Sequence, residues 1–204
     1  MTLPYDMGNA GDLLKHGVLA EFVRWQCGLG MPLRFMDPFG GEPWGRPVPE
    51  VERRVRALEP SALRAAQSDI DEHRYYGSSL LVRRAAEAAG GRRISVLGSD
   101  ACAPRREWLR ACGVTMLYEA LPELGASPGR DRYDGYHAFD VIARDAKDGD
   151  LALIDPFVDG FVEWRARVVV PQVAAMAERA AVVLFVLNEY PRRPAADSTR
   201  SWET

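Results

Sequence analysis

The apolar positions of the chain follow two spacings, one typical of helices and one typical of buried strands. Between residues 10 and 28 apolar side chains recur every three or four positions, which predicts a helix that ends at Gly28 and Gly30. Short continuous apolar runs predict buried strands. The predicted strands are 32–37, 93–100, 114–118, 150–155 and 181–190. The other predicted helices are 50–73, 78–90, 105–113, 137–146 and 163–180.

This alternation of helices and strands predicts an α/β fold, with a mostly parallel sheet covered by helices on both faces. Residues 39–50 are rich in glycine and proline and are predicted to be loop, as are residues 119–132. Residues 50–73 are strongly charged, so that helical stretch is predicted to form an exposed insert. The length suits one domain, assigned here to residues 1–191. The polar residues 192–204 are predicted to be a flexible tail.

Composition narrows the functional classes. A hydrophobic content of 47% with 27% charged residues is ordinary for a globular protein. No apolar run approaches the roughly 18 residues that span a bilayer, and the N-terminus lacks the apolar core of a signal peptide. A cytoplasmic protein that does not contact membranes is therefore expected. The three cysteines and three histidines are scattered, so no metal site is expected.

The charge pattern leaves two interpretations open. A net charge of −3 weakly opposes bulk binding to nucleic acid, which normally requires a basic surface. Most of the positive charge is arginine, arranged in pairs such as Arg83-Arg84 and Arg105-Arg106. These pairs form either a solvated surface or a local patch that contacts phosphates.

Acidic residues stand at the ends of the predicted strands. Asp37, Asp100 and Asp155 end three of them, and Asp134 lies in the loop after the strand 114–118. Ligands of open α/β sheets bind outside the carboxyl ends of the strands. The four acids can therefore line one crevice, although each of them alone can equally be a cap or a turn residue.

The chemistry of this crevice favours an adenosine-type cofactor. Gly40 and Gly41 after the first strand allow backbone to approach a ligand closely, but they do not form the GxGxxG pattern of nicotinamide enzymes. Asp100 suits a ribose diol, because a carboxylate accepts hydrogen bonds from two hydroxyls. Asp134 can accept from an adenine amino group, and Asp37 can favour a sulfonium. Together these features favour S-adenosylmethionine.

Several short motifs occur in the same order as in a known family, along most of the chain. The most specific is "YDMGNAGDLLKH" (5–16), which matches a GN-x-x-D-x-LKH signature. The others are "FMDPFGG" (35–41), "YYGSSLL" (75–81), "DGY" (134–136), "LALIDPFV" (151–158) and "LFVLNEYP" (184–191). The chain thus resembles the bacterial 23S ribosomal RNA adenine-N6 methyltransferase family, as a divergent RlmJ-like member.

The resemblance implies a Rossmann-like class I methyltransferase fold with a short helical insert near residues 45–75. It implies S-adenosylmethionine as cofactor and ribosomal RNA as substrate. The cofactor contacts of the family fall on His16, Ser78, Asp100, Asp134, Gly135 and Asp155.

The acid that contacts the target base falls on Asp155. In that chemistry the acid and the adjacent backbone carbonyl, here that of Pro156, accept hydrogen bonds from the exocyclic amine while an aromatic ring stacks on the base. The D-P-P-Y motif of the family reads Asp155-Pro156-Phe157-Val158 here, which places Phe157 one position before the tyrosine of the family. Lys15 is predicted either to pair with an acid of the crevice or to contact a phosphate.

Two further functions remain open on the sequence. The altered loop after Asp155 is compatible with a methyltransferase retargeted to a nucleoside or another small molecule. It is also compatible with a relative that binds the cofactor or RNA without catalysing a reaction.

Overall fold

The computed structural model describes residues 7–8, 10–91, 93–120, 135–155, 170–178 and 182–185. The helices are α1 (Ala10–Gly28), α2 (Pro49–Arg56), α3 (Ala62–Ala66), α4 (Ser78–Ala88), α5 (Ala103–Ala111), α6 (Leu117–Ala120), α7 (Gly135–Asp145) and α8 (Val170–Glu178), with a 3₁₀ turn over Ser68–Glu72. The strands are β1 (Leu33–Asp37), β2 (Trp44–Gly45), β3 (Tyr75–Tyr76), β4 (Ile94–Gly98), β5 (Thr115–Met116), β6 (Asp150–Ile154) and β7 (Val182–Phe185).

A five-stranded sheet forms the centre of the fold, in the order β5-β4-β1-β6-β7. All four neighbouring pairs are parallel, and Phe35 of β1 lies between Val96 of β4 and Leu151 of β6. The chain runs outward from β1 to one edge and then returns to the other side of β1. The strand order therefore reverses at β1, which is the place where open α/β sheets bind ligands. The predicted α/β fold class is confirmed.

The strands read as continuous apolar runs because helices cover both faces of the sheet. Alternate side chains point to opposite faces. Phe35 and Leu151 belong to a core shared with α1, α3 and α4. Met36 and Ala152 belong to a second core shared with α7 and α8.

The prediction of an exposed insert over residues 50–73 is wrong for one side of that segment. Val51, Val55 and Ile70 are buried in a small core that also contains Met7 and Tyr75. Leu63 joins the main core between α1 and α4. The arginines and glutamates that made the segment look exposed occupy its outer side, where Glu50 pairs with neighbouring arginines. The segment is therefore packed against the sheet domain through its few apolar residues.

Several predicted boundaries also shift. The strand predicted over 93–100 ends at Gly98, so Asp100 lies two residues beyond it, and β5 is followed at once by α6. The predicted loop 39–50 contains β2, which pairs antiparallel with β3. These short strands are set by pairing between distant segments, which local patterns do not encode. Within the described ranges, no helix is long and apolar enough to cross a membrane.

Candidate functional site

The carboxyl ends of β1, β4 and β6 meet at the same edge of the sheet, because these neighbouring strands are parallel. Asp37 is the last residue of β1, Asp155 directly follows β6, and Asp100 lies just beyond β4. The structure thus gathers three of the four predicted crevice acids at the point where the strand order reverses. Asp134, Pro156 and Phe157 lie outside the described residues.

Asp37 is buried at the end of β1 and accepts two hydrogen bonds. One carboxylate oxygen accepts a hydrogen bond from the Ser78 hydroxyl, and the other accepts one from the backbone N–H of Phe39, at 3.1 Å. Burial raises the pKa of Asp37 to about 6, against the opposing effect of these two donors. Asp37 and Ser78, both predicted to contact the cofactor, therefore contact each other at the start of α4.

The loop after β1, which contains Gly40 and Gly41, is hydrogen-bonded to Asp100. The backbone N–H of Gly41 donates to one oxygen of this carboxylate at 3.1 Å, and the N–H of Cys102 donates to the other at 2.7 Å. Gly41 has a φ of 60°, in the left-handed region that glycine adopts without strain. A Cβ at Gly40 would lie 3.0 Å from the carbonyl oxygen of Ser99, so the loop packs closely against the end of β4.

These two donors orient the Asp100 carboxylate without using all of its lone pairs. Each carboxylate oxygen has two lone pairs, so each retains one for a further hydrogen bond. Arg105 lies 3.9 Å from the same carboxylate and 3.7 Å from that of Glu42, so one guanidinium lies near two carboxylates on this side of the loop. The arrangement can accept hydrogen bonds from a diol.

Lys15 of α1 links the helix to the end of β6. Its ammonium forms an ion pair with one oxygen of Asp155 and another with Asp12, at 2.8 Å. Burial alone would lower the pKa of Lys15, but the two carboxylates outweigh it and raise the pKa, so the side chain stays charged. Of the two roles predicted for Lys15, pairing with an acid of the crevice is the one seen. Asp155 remains partly exposed beside it.

His16, the next residue of the same helix, is buried against Tyr75. Its Nδ1 lies 2.7 Å from the Tyr75 hydroxyl, and the two rings are stacked. Burial, helped by the positive charge of Lys15, lowers the pKa of His16 to about 3, so the imidazole is neutral at physiological pH. Burial also raises the pKa of the Tyr75 phenol, which keeps its proton. This pair fixes the orientation of the imidazole.

Gly135, predicted to contact the cofactor, begins α7 and packs against the loop after β1. A Cβ at this position would lie 2.4 Å from a ring carbon of Phe39 and 2.7 Å from the carbonyl oxygen of Pro38. Only glycine allows the backbone to come this close. The residue therefore brings the start of α7 against the loop that is tied to Asp100.

Two residues of this cluster were not assigned a role from the sequence. Asp12 pairs with Lys15 one helical turn away, a spacing that the sequence does display within the signature at 5–16. Tyr75 contacts His16 across 59 positions, and the only sequence signal was its place at the start of the motif at 75–81.

Comparison with known proteins supports the fold. Neither a family model nor a curated protein matches the sequence. Among solved structures, the chain is similar to protein LPL1258 from Legionella pneumophila strain Philadelphia 1, described under the family model DUF519. The TM-score is 0.58 at 13% sequence identity, over 87% of this chain and 68% of the other. The chain therefore shares with that structure a parallel α/β fold with flanking helices.

Proposed function

We propose that this protein is an S-adenosylmethionine-dependent N-methyltransferase that acts on an adenine amine of ribosomal RNA or a related nucleic acid. The observation that carries the proposal is the pairing of Lys15 with Asp155 beside the Asp100-bound glycine loop, at the reversal of strand order. DUF519 is the RlmJ family, whose motifs the sequence resembles, so the likeness of fold and the motifs support the same function independently.

The described residues are suited to hold the cofactor. Asp100 would accept hydrogen bonds from the ribose hydroxyls through its remaining lone pairs. Gly40 and Gly41 would let the loop approach the ligand closely. His16 follows Lys15 on the same helix, and its neutral imidazole would be a further cofactor contact, as the family resemblance implies. When bound, S-adenosylmethionine supplies an electrophilic methyl group on its sulfonium.

Asp155 would position the amine that receives the methyl group. Lys15 engages one of its oxygens and fixes the orientation of the carboxylate, which leaves the other oxygen to accept an N–H of the exocyclic amine. A hydrogen bond of this kind directs the nitrogen lone pair toward the methyl donor. Transfer to an amine held in this way depends chiefly on geometry, which the ion pair with α1 helps to maintain.

Transfer of radioactive methyl groups from S-adenosylmethionine to transcribed 23S ribosomal RNA tests this proposal. We expect the protein to label adenine in the RNA, and Asp155→Ala to lower the rate by about 10²–10⁴-fold because the amine is no longer positioned. Glu50→Gln, a change of an acid on the outer side of α2, is the matched control and should leave the rate unchanged.

The outcomes separate the competing functions. Full activity of Asp155→Ala with a folded protein would remove Asp155 from the mechanism. Labelling of free adenosine, or of another small molecule, but not of RNA would favour the retargeted methyltransferase. Failure to bind the cofactor at all would favour the non-catalytic relative.

A further inference from the structure

Helix α1 carries a stripe of exposed apolar side chains, which we call the α1 stripe. It consists of Leu14 (73% exposed), Val18 (49%), Trp25 (57%) and Leu29 (57%). Spacings of four, seven and four positions place all four side chains on one face of a helix. Leu29 follows the last residue of α1 but continues its turn, since its N–H donates to the carbonyl of Trp25 at 3.2 Å. An apolar patch of this kind marks an interaction surface.

The α1 stripe is symmetric about its own centre. Leu14 and Leu29 lie equally far along the sequence from the midpoint between Glu21 and Phe22, and so do Val18 and Trp25. A two-fold interface requires this property, because residue i must meet residue j while j meets i. We propose that the partner of the α1 stripe is a second copy of this chain, whose α1 runs antiparallel and sets Leu14 against Leu29 and Val18 against Trp25.

The charges near the two-fold axis are compatible with this pairing. The Glu21 carboxylate, which would face its own copy, accepts hydrogen bonds from the backbone N–H of Ala62 at 3.1 Å and from Arg24 at 2.8 Å. These two donors lower the pKa of Glu21 and compensate its charge within each chain. Antiparallel helices also bring opposite ends of their macrodipoles together.

The size of the α1 stripe determines how tight the dimer is. Fifteen residues of rise from Leu14 to Leu29 make a strip about 22 Å long and about 10 Å wide. This is smaller than the roughly 800 Å² per partner of a standard stable interface. The dimer is therefore weak and reversible, and its population rises with protein concentration.

Sedimentation velocity over a range of protein concentrations tests the proposal. The wild-type protein should move from the mass of one chain toward twice that mass as its concentration rises. Val18→Lys should keep it monomeric, because a charge at an exposed position disrupts the contact without disturbing the fold. Leu58→Lys, a change at an apolar residue that is 39% exposed and lies outside the stripe, is the control and should dimerise like the wild type.

A cross-linking experiment tests the antiparallel arrangement itself. Leu14→Cys and Leu29→Cys are made separately in a Cys102→Ser background, which removes an exposed thiol. Under mild oxidation with glutathione disulfide, the two proteins should form a disulfide-linked dimer when mixed, and neither should do so alone.

Three results would overturn the proposed dimer. A wild-type protein that stays monomeric at every concentration would show that no second copy binds the stripe. Dimers that survive Val18→Lys, or that cross-link through Leu14→Cys alone, would place the interface or its direction elsewhere. None of these readouts depends on cofactor binding or methyl transfer, so they leave the proposed function untouched.

Discussion

Replacement of Asp37 by asparagine is expected to stabilise the protein at neutral pH and to have little effect in acid. The substitution keeps the local hydrogen bonds, because the amide oxygen can accept from the N–H of Phe39 while the amide nitrogen donates to the Ser78 hydroxyl. It removes a carboxylate that is buried and is therefore costly to ionise.

The magnitude follows from the pKa of Asp37, which burial raises from 3.8 to about 6. At 1.36 kcal/mol for each pKa unit, ionisation in the folded state costs about 3 kcal/mol. Because the folded-state pKa lies above the unfolded one, the neutral Asp37 carboxyl makes the folded wild-type protein more stable than the ionised carboxylate does. This stability is fully present below about pH 4 and is lost as the pH rises through about 6. The asparagine variant lacks this loss.

Chemical denaturation of both proteins between about pH 4 and pH 8 measures the effect. The difference in free energy of unfolding should grow by about 3 kcal/mol in favour of Asp37→Asn across this range. His16 titrates with the opposite sign, but it is present in both proteins and cancels in the difference. A difference that stays constant with pH would refute the assignment of Asp37 as a buried acid with a raised pKa.

Three further substitutions test other contacts of the site. Lys15→Met should destabilise the fold by about 1–2 kcal/mol, because two partly exposed carboxylates then lose their shared cation. The same substitution should abolish methyl transfer, and unchanged activity would contradict the positioning role of Lys15. Gly135→Ala should lower the melting temperature through a clash worth about 1–3 kcal/mol, whereas Gly17→Ala, whose Cβ would meet no atom closer than 3.9 Å, should not. Tyr75→Phe should cost about 1–3 kcal/mol by leaving His16 Nδ1 without its partner, and nitrogen chemical shifts of the imidazole should change; identical shifts would exclude this hydrogen bond.

The elements with strong periodicity were predictable from the sequence. α1 has the predicted limits because its apolar side chains recur at helical spacing, although Leu14 and Val18 are exposed. β1 and β6 fall within one residue of their predicted limits because their apolar runs are buried. The buried side of the insert was missed because Val51 and Val55 stand among arginines and glutamates that lie on the outer side. Local composition reports what a segment contains, not which of its sides packs on the core.

The contacts within the site were less predictable, because they join distant parts of the chain. Lys15 and Asp155 are 140 positions apart and were linked only as members of one expected crevice. The hydrogen bonds between Gly41 and Asp100 and between His16 and Tyr75 depend on the folded arrangement of the chain. No local sequence pattern indicated them. Motif resemblance thus indicated the candidate site, and the structure supplied the contacts between its residues.

Calorimetric titration of the purified protein with S-adenosylmethionine and S-adenosylhomocysteine tests the central claim most directly. The proposed site predicts binding of both ligands with dissociation constants of about micromolar order, and weaker binding by Asp100→Ala because the ribose hydroxyls lose their acceptor. Binding that Asp100→Ala leaves unchanged would reject the ribose contact. No binding of either ligand at about millimolar concentration would contradict the proposal that this protein is a working methyltransferase.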